Sequence, residues 1–311
     1  MKIVFMGTPE LAATVLAALC GEHEVICAVT NPDRPKGRKK TPLPSAVKAK
    51  AEELGIPVHT CARLRDPAET EFICGLDADM IVVAAFGQIV PPQVLACPRF
   101  GCVNVHTSLL PAYRGAAPIQ WAILDGCEKT GVTIMQMDEG LDTGDILAQS
   151  ELAVSPQDTA LTLTEKLAEE GGRLLLATIR LIEEGRAVRI PQPAESTTAY
   201  AGMIRKEMGT IRWDESAELI DRKIRAFTPW PGTATSYEGT PLKIFSAYAD
   251  AEHGGVVPGT AHIQGNELFI AAGDRWMRIG EVQLAGKKRM SAADFLRGCR
   301  VSDGTVLGQP G

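Results

Sequence analysis

Short, uninterrupted apolar runs alternate with segments of helical spacing through residue 187, and this alternation constrains the fold more than any other feature. The runs are "KIVFMG", "EVICAVT", "IPVHT", "ADMIVVAAFG", "GCVNVHTS" and "TGVTIMQM". A run that is apolar at nearly every position suits a strand buried on both faces. Between the runs lie "LAATVLAAL", "SAVKAKAEELG" closed by Gly55, and "PIQWAILDG" with Pro118 in its first turn. Residues 158–184 carry Leu161, Leu167, Leu174, Ile179 and Ile182 at near-helical intervals. The pattern predicts an α/β domain over residues 1–188: a mostly parallel, Rossmann-like sheet with helices on both faces.

The pattern then changes. "RIPQPAESTTAYAGMI" has no apolar period and carries two prolines, so residues 189–205 read as a linker. "SAELIDRKIRAFTPWPG" gives one helix that ends before Pro229. The rest, "PLKIFSAYA", "GGVVPGTAHI", "NELFIAAG" and "WMRIGEVQLAG", consists of short apolar runs divided by glycine. Residues 206–311 therefore read as a small β-barrel or sandwich, taken as an OB-like barrel. A length of 311 residues agrees with two domains.

Composition excludes several classes. No apolar run approaches the ~20 residues that span a bilayer. The first strand begins within two or three residues of Met1, which leaves no room for a leader peptide and predicts a cytoplasmic protein. The eight cysteines are scattered, mostly within apolar runs, and none forms a C-x-x-C pair. They read as buried free thiols rather than a disulfide or zinc framework. The net charge of −6 argues against sequence-independent coating of nucleic acid. The charge is uneven, however. Residues 205–311 hold 14 Lys/Arg against 13 Asp/Glu, and residues 1–204 hold 18 against 25, so a local basic patch can still meet a polyanion.

Four segments carry candidate chemistry. "GTPE", residues 7–10, is the first strand-to-helix turn; it matches neither G-x-G-x-x-G nor a P-loop, and is a tight turn or a ligand edge. "DRPKGRKKTP", residues 33–42, is a basic, proline-rich loop, either solvated or held against a phosphate backbone. In "GCVNVHTS" the alternation of a strand puts Val103 and Val105 on one face and Asn104 and His106 on the other. A buried amide and imidazole need partners or a ligand. "MDEGLDTGDIL", residues 137–147, offers Asp138, Glu139, Asp142 and Asp145 at a spacing that does not fit an EF-hand. One carboxylate facing His106 would orient the imidazole and favour its charged form. A parallel βαβ unit would bridge the 36 residues between His106 and Asp142.

"NVHTSLLPAYRGAAPIQWAI" together with "DEGLDTGDIL" resembles the formyltransferases that use 10-formyltetrahydrofolate. "FMGTPE", "NPDRPKGRKK", "AAFGQIVP" and "IRAFTPWPGT" extend the resemblance over nearly the whole chain, and the basic loop and second domain point to the branch acting on a charged tRNA. The resemblance implies a formyl transfer from the folate to the α-amino group of methionine on the initiator tRNA, with no metal. It implies Asn104, His106 and Asp142 as catalytic residues. It places the folate along Ser108, Leu109, Leu110 and Pro111 and beside Phe86, Gly87, Gln88 and Ile89. It assigns the tRNA to Arg38, Lys39 and Lys40 of the loop and to Lys206, Arg225, Lys287, Lys288 and Arg289, the protein working as a monomer without a membrane. A formyltetrahydrofolate hydrolase, a sugar-nucleotide formyltransferase and a non-catalytic RNA-binding relative remain as alternatives.

Overall fold

In the computed structural model, residues 1–36, 41–299 and 301–308 are described. The chain divides into two compact units: Met1–Pro118, Glu128–Ala153 and Leu163–Gly202, and Ile119–Cys127, Val154–Thr162 and Met203–Gly311.

The first unit is built on a seven-stranded sheet. Its strands are β1 (Lys2–Gly7), β2 (Glu24–Thr30), β5 (Val58–Thr60), β6 (Met80–Ala84), β7 (Cys102–His106), β8 (Lys129–Gln136) and β9 (Ile146–Ala153). A two-stranded ribbon, β3 (Arg34–Lys36) and β4 (Thr41–Leu43), follows β2. The order is β5-β2-β1-β6-β7-β8-β9. The first five pair in parallel, as the uninterrupted apolar runs predict. Val4, Met6, Cys27, Val29, Ile81 and Val83 form one face of the core, together with Ile73 of α3 (Pro67–Gly75) and Val94 of α4 (Pro92–Ala96). The helix α1 (Glu10–Cys20) buries Leu11, Val15, Leu16 and Leu19, and α2 (Ala46–Glu53) is capped by the Ser45 hydroxyl accepting from Lys48 N–H. α5 (Pro118–Leu124) follows β7, and α6 (Ala160–Glu183) follows β9.

The connection to β8 differs from the expected parallel unit. β8 runs antiparallel to β7, with His106 opposite Thr133 and Val103 opposite Gln136, and β9 runs antiparallel to β8. An apolar run records burial but not direction, so the sequence did not distinguish the two. β9, with its half-exposed edge pattern, and the short helices α3 and α4 also lacked a readable period. The antiparallel return has a consequence for the site. The loop after β8 leaves beside the beginning of β7, where Met137 N–H donates to Cys102 O, and must double back to reach the strand's far end.

The second unit carries an antiparallel sheet of six strands: β10 (Thr233–Tyr237), β11 (Thr240–Glu252), β12 (Ala261–Gln264), β13 (Glu267–Ala271), β14 (Arg275–Leu284) and β15 (Met290–Ser291). Register shifts along the 13-residue β11 interrupt its pairing with β14 and let this long strand bend. Its inward residues join Ile220 and Ile224 of α7 (Ala217–Ala226) and Phe295 of α8 (Ala292–Gly298) in one core. α8 was not read from the sequence. No helix among the described residues is long and apolar enough to cross a membrane.

All eight cysteines are free thiols; Cys27, Cys61 and Cys102 are buried, whereas Cys97 is exposed. Burial raises the Cys61 thiol to about 11, which keeps it protonated and unreactive at neutral pH.

Candidate active site

β7 brings the two polar residues to one face, as its alternation predicts. Val103 and Val105 are buried in the core, and Val105 lies against Gly171 of α6. Asn104 is half-buried, and its side-chain amide has no hydrogen-bond partner among the described residues. A half-buried amide so placed is free for a ligand. His106 is only 6% exposed, and its Nε2 lies 3.1 Å from the carbonyl oxygen of Tyr113. A carbonyl only accepts, so the proton sits on Nε2 and Nδ1 is the free position.

Asp142 faces that position. Its Oδ1 is 3.7 Å from His106 Nδ1, within ion-pair reach but too long for a hydrogen bond. Its Oδ2 accepts from the Gly115 N–H at 2.9 Å. The carboxylate thus comes to the imidazole, and Nδ1 keeps a direction open to a reacting atom. Asp142 itself has a φ of 56°, a left-handed conformation uncommon outside glycine. The rest of the acidic loop plays other parts. Asp138 accepts from Gly140 N–H and from the Thr143 hydroxyl and closes the turn. A Cβ at Gly144 would collide with the Gln136 carbonyl. Among the described residues, no three His, Cys, Asp or Glu side chains gather as a metal site.

The predicted folate edge is held from behind. Ser108 and Leu110 are buried, and the Leu110–Pro111 bond is cis. Thr133 accepts from Leu110 N–H and donates to Ser108 O, and Gln149 donates to Leu110 O. Leu109 and Pro111 are half-exposed and can cover a ring. On "FGQIVP", Phe86 is buried in the core, whereas Gly87 and Ile89 are exposed. The Gln88 amide is already used: its Oε1 accepts from Leu64 N–H, and its Nε2 donates to Asn31 Oδ1 and Cys61 O. Thr8, the turn residue of "GTPE", accepts from Asn31 in the same network. Gln88 therefore fixes the loop, and Gly87 and Ile89 are its open residues. Beyond Ile89, an open cavity is bordered by Arg65, Val90, Pro91, Pro92 and Glu139.

The sequence missed Thr133, Gln149, Arg114 and Gln192. Arg114 lies within the quoted "NVHTSLLPAYRGAAPIQWAI", but its partner Gln192 is 78 residues away, and Gln149 meets Leu110 across 39 residues, so no local spacing joins them.

The basic residues divide. Arg38, Lys39 and Lys40 lie outside the described residues. In the second unit, Lys206, Lys287 and Lys288 are exposed and make no ion pair among the described residues. Arg289 pairs with Glu281 and stacks over Phe245, its guanidinium carbon 4.2 Å from the ring centroid. Arg225 is bound to Asp221 at 2.8 Å and to Asp158 O at 3.1 Å.

An unpaired amide, an imidazole and a carboxylate at the end of a Rossmann-like sheet form a site for polarising a carbonyl and moving a proton. Residues 1–179 match the formyl transferase family and residues 203–300 its C-terminal domain, so the chain belongs to the formyl transferase family. Within it, the chain is 45% identical over 309 residues to the methionyl-tRNA formyltransferase of Agathobacter rectalis, covering 99% of both chains. It is likewise 45% identical over 313 residues to the methionyl-tRNA formyltransferase of Geobacillus thermodenitrificans, covering 99% of this chain and 98% of that one. Two solved structures share the fold. The N-formyltransferase of Helicobacter canadensis, in complex with folinic acid and dTDP-3-aminofucose, superposes with a TM-score of 0.67 at 21% identity, over 93% of this chain and 100% of that one. HypX of Aquifex aeolicus, in complex with tetrahydrofolic acid, superposes with a TM-score of 0.63 at 18% identity, over 95% of this chain; the match spans 47% of HypX.

Proposed function

We infer that the protein transfers the formyl group of 10-formyltetrahydrofolate to the α-amino group of methionyl-tRNA, for translation initiation in the cytoplasm. The observation that carries the reading is the approach of Asp142 to His106, with Asn104 on the same face of β7, in a chain that matches methionyl-tRNA formyltransferases end to end. The folate supplies an activated formyl carbon. The amine forms a C–N bond to that carbon, the bond to N10 breaks, the amine loses a proton and N10 gains one. Negative charge develops on the formyl oxygen meanwhile. The free N–H of Asn104 and a protonated His106 Nδ1 are donors suited to that oxygen, and preorganised donors of this kind contribute roughly 10²–10³ each in rate. Asp142 stabilises the imidazolium and can take the amine proton. Leu109, Pro111, Gly87 and Ile89 supply the open surface on which the folate packs.

Lys206, Lys287 and Lys288 are free to meet tRNA phosphates, and Arg38, Lys39 and Lys40 are assigned to the same partner from the sequence. The working unit is taken as a single chain. Incubation of the protein with 10-formyltetrahydrofolate and either methionyl-tRNA, a dTDP-aminosugar or water alone tests the reading. Formylmethionyl-tRNA is expected to form fastest by orders of magnitude. Equal folate turnover in water alone would assign a hydrolase instead.

A further inference from the structure

Asp142 must be held at the end of a loop that doubles back, and its own backbone geometry resists the position. A non-glycine residue at φ 56° lies in the left-handed region and persists where its surroundings fix it. The surroundings that fix it come from the segment read in sequence as a linker. Gln192 Nε2 donates to the carbonyl of Asp142 at 3.0 Å and to that of Gly144 at 2.7 Å. Gln192 is itself gripped: its Oε1 accepts from Arg114 Nε at 3.2 Å and from the neighbouring Arg114 nitrogen at 2.9 Å.

Arg114 is 7% exposed and has no carboxylate partner among the described residues. Its other donations go to the carbonyls of Pro193 and Ala194. Burying a guanidinium against neutral acceptors alone is costly, and a chain keeps such a group where the geometry it imposes matters. The two chain neighbours of Arg114 touch both catalytic groups. The Tyr113 carbonyl receives His106 Nε2–H, and the Gly115 N–H donates to Asp142 Oδ2. Gly115 has a φ of 131°, and a Cβ there would lie 2.6 Å from the Ala201 carbonyl of the same crossing segment.

We propose that Arg114 and Gln192 are positioning residues for formyl transfer, a clamp that sets the Asp142 carboxylate against His106. The proposal rests on the catalytic reading of Asp142 and His106. Neither side chain bonds the His106 ring or the Asp142 carboxylate among the described residues; their partners are each other and the carbonyls of Asp142, Gly144, Pro193 and Ala194. Both act through the loop carbonyls, so their loss should lower kcat while leaving KM for folate and tRNA nearly unchanged. A displacement of about 1 Å at a reacting group typically costs on the order of 10² in rate.

The test is a set of variants assayed for formyl transfer, with folding checked by thermal melting. Gln192→Ala is expected to lower kcat by roughly 10- to 100-fold with KM changed by less than about 3-fold. Gln192→Glu keeps an acceptor for Arg114 but loses both donations to the loop, and should be as slow. Placed on an Asp142→Asn background, Gln192→Ala should cost less than about 2-fold more, because residues acting through one another are non-additive. A full multiplicative loss on that background, or a Gln192→Glu enzyme at wild-type kcat, would overturn the clamp. Should Gln192→Ala fold poorly, Gln192→Glu and the double variant still decide. An inactive wild type would overturn the functional reading instead, and an Asp142→Asn enzyme at wild-type rate the catalytic role on which the clamp rests.

Discussion

The polar residues of the first unit and the cations of the second use charge in opposite ways. Around β7, almost every polar group is engaged: His106 with Tyr113 O, Asp142 with Gly115 N–H, Gln88 with three partners, Arg114 with Gln192. Among the described residues, the Asn104 amide and His106 Nδ1 make no hydrogen bond. In the second unit Lys206, Lys287 and Lys288 are exposed and make no ion pair among the described residues, while Arg225 is bound to Asp221 and to Asp158 O. Chemistry at a carbonyl needs donors fixed before the substrate arrives, because a donor that must reorganise loses its advantage. Contact with a phosphate backbone needs charge more than position.

The largest effects should fall in the first unit. His106→Ala or Asp142→Asn is expected to lower kcat for formyl transfer by about 10²–10³ or more with little change in melting temperature, since either group acts in the chemical step. A near-normal rate in either would break the contrast. Asn104→Ala should lower kcat by on the order of 10², with folate KM nearly unchanged. Single-turnover rates check it, and a change in KM alone would move Asn104 from chemistry to binding.

Smaller effects should separate the cations. Replacing Lys287 and Lys288 together by alanine should weaken tRNA binding and reduce the salt dependence of log K by about 2, with folate affinity intact. Arg38→Ala should likewise weaken tRNA use and spare folate. Arg225→Ala, by contrast, should lower the melting temperature through the lost Asp221 and Asp158 contacts. If Arg225→Ala changed the salt slope and left the melt alone, the division between free and committed cations would be wrong.

The smallest effect concerns acid stability of the second unit. The Ala217 N–H at the start of α7 donates to Asp274 and, with Arg275, holds its carboxyl below the usual carboxylate range. A depressed folded value means the contribution is present above the unfolded value and fades as pH falls through the folded one. Asp274→Ala should therefore melt slightly earlier at pH 7, and the gap should close below about pH 4. A gap that widened in acid would contradict the sign.

Much of this was legible along the chain. Period-two alternation placed Asn104 and His106 on one face, because a strand leaves no other choice. Continuous apolar runs marked β1, β2 and β6, because only doubly buried strands tolerate them. The carboxylate loop was visible as a cluster, and resemblance to other formyltransferases selected Asp142 within it. Gln192 was invisible because its partner Arg114 lies 78 residues away and its own segment has no period. The resemblance gave Gln88 as a folate contact, and the sequence did not show that its amide also meets Leu64, Asn31 and Cys61.

The sequence by itself determined the alternation of strand and helix and the face on which the polar pair stands, since local sterics and burial act on neighbouring residues. Only the tertiary structure decided the antiparallel direction of β8 and the return of its loop to His106. It alone decided which amides are free and which cations are already paired, because hydrogen bonds between distant segments depend on where the folded backbone brings them together.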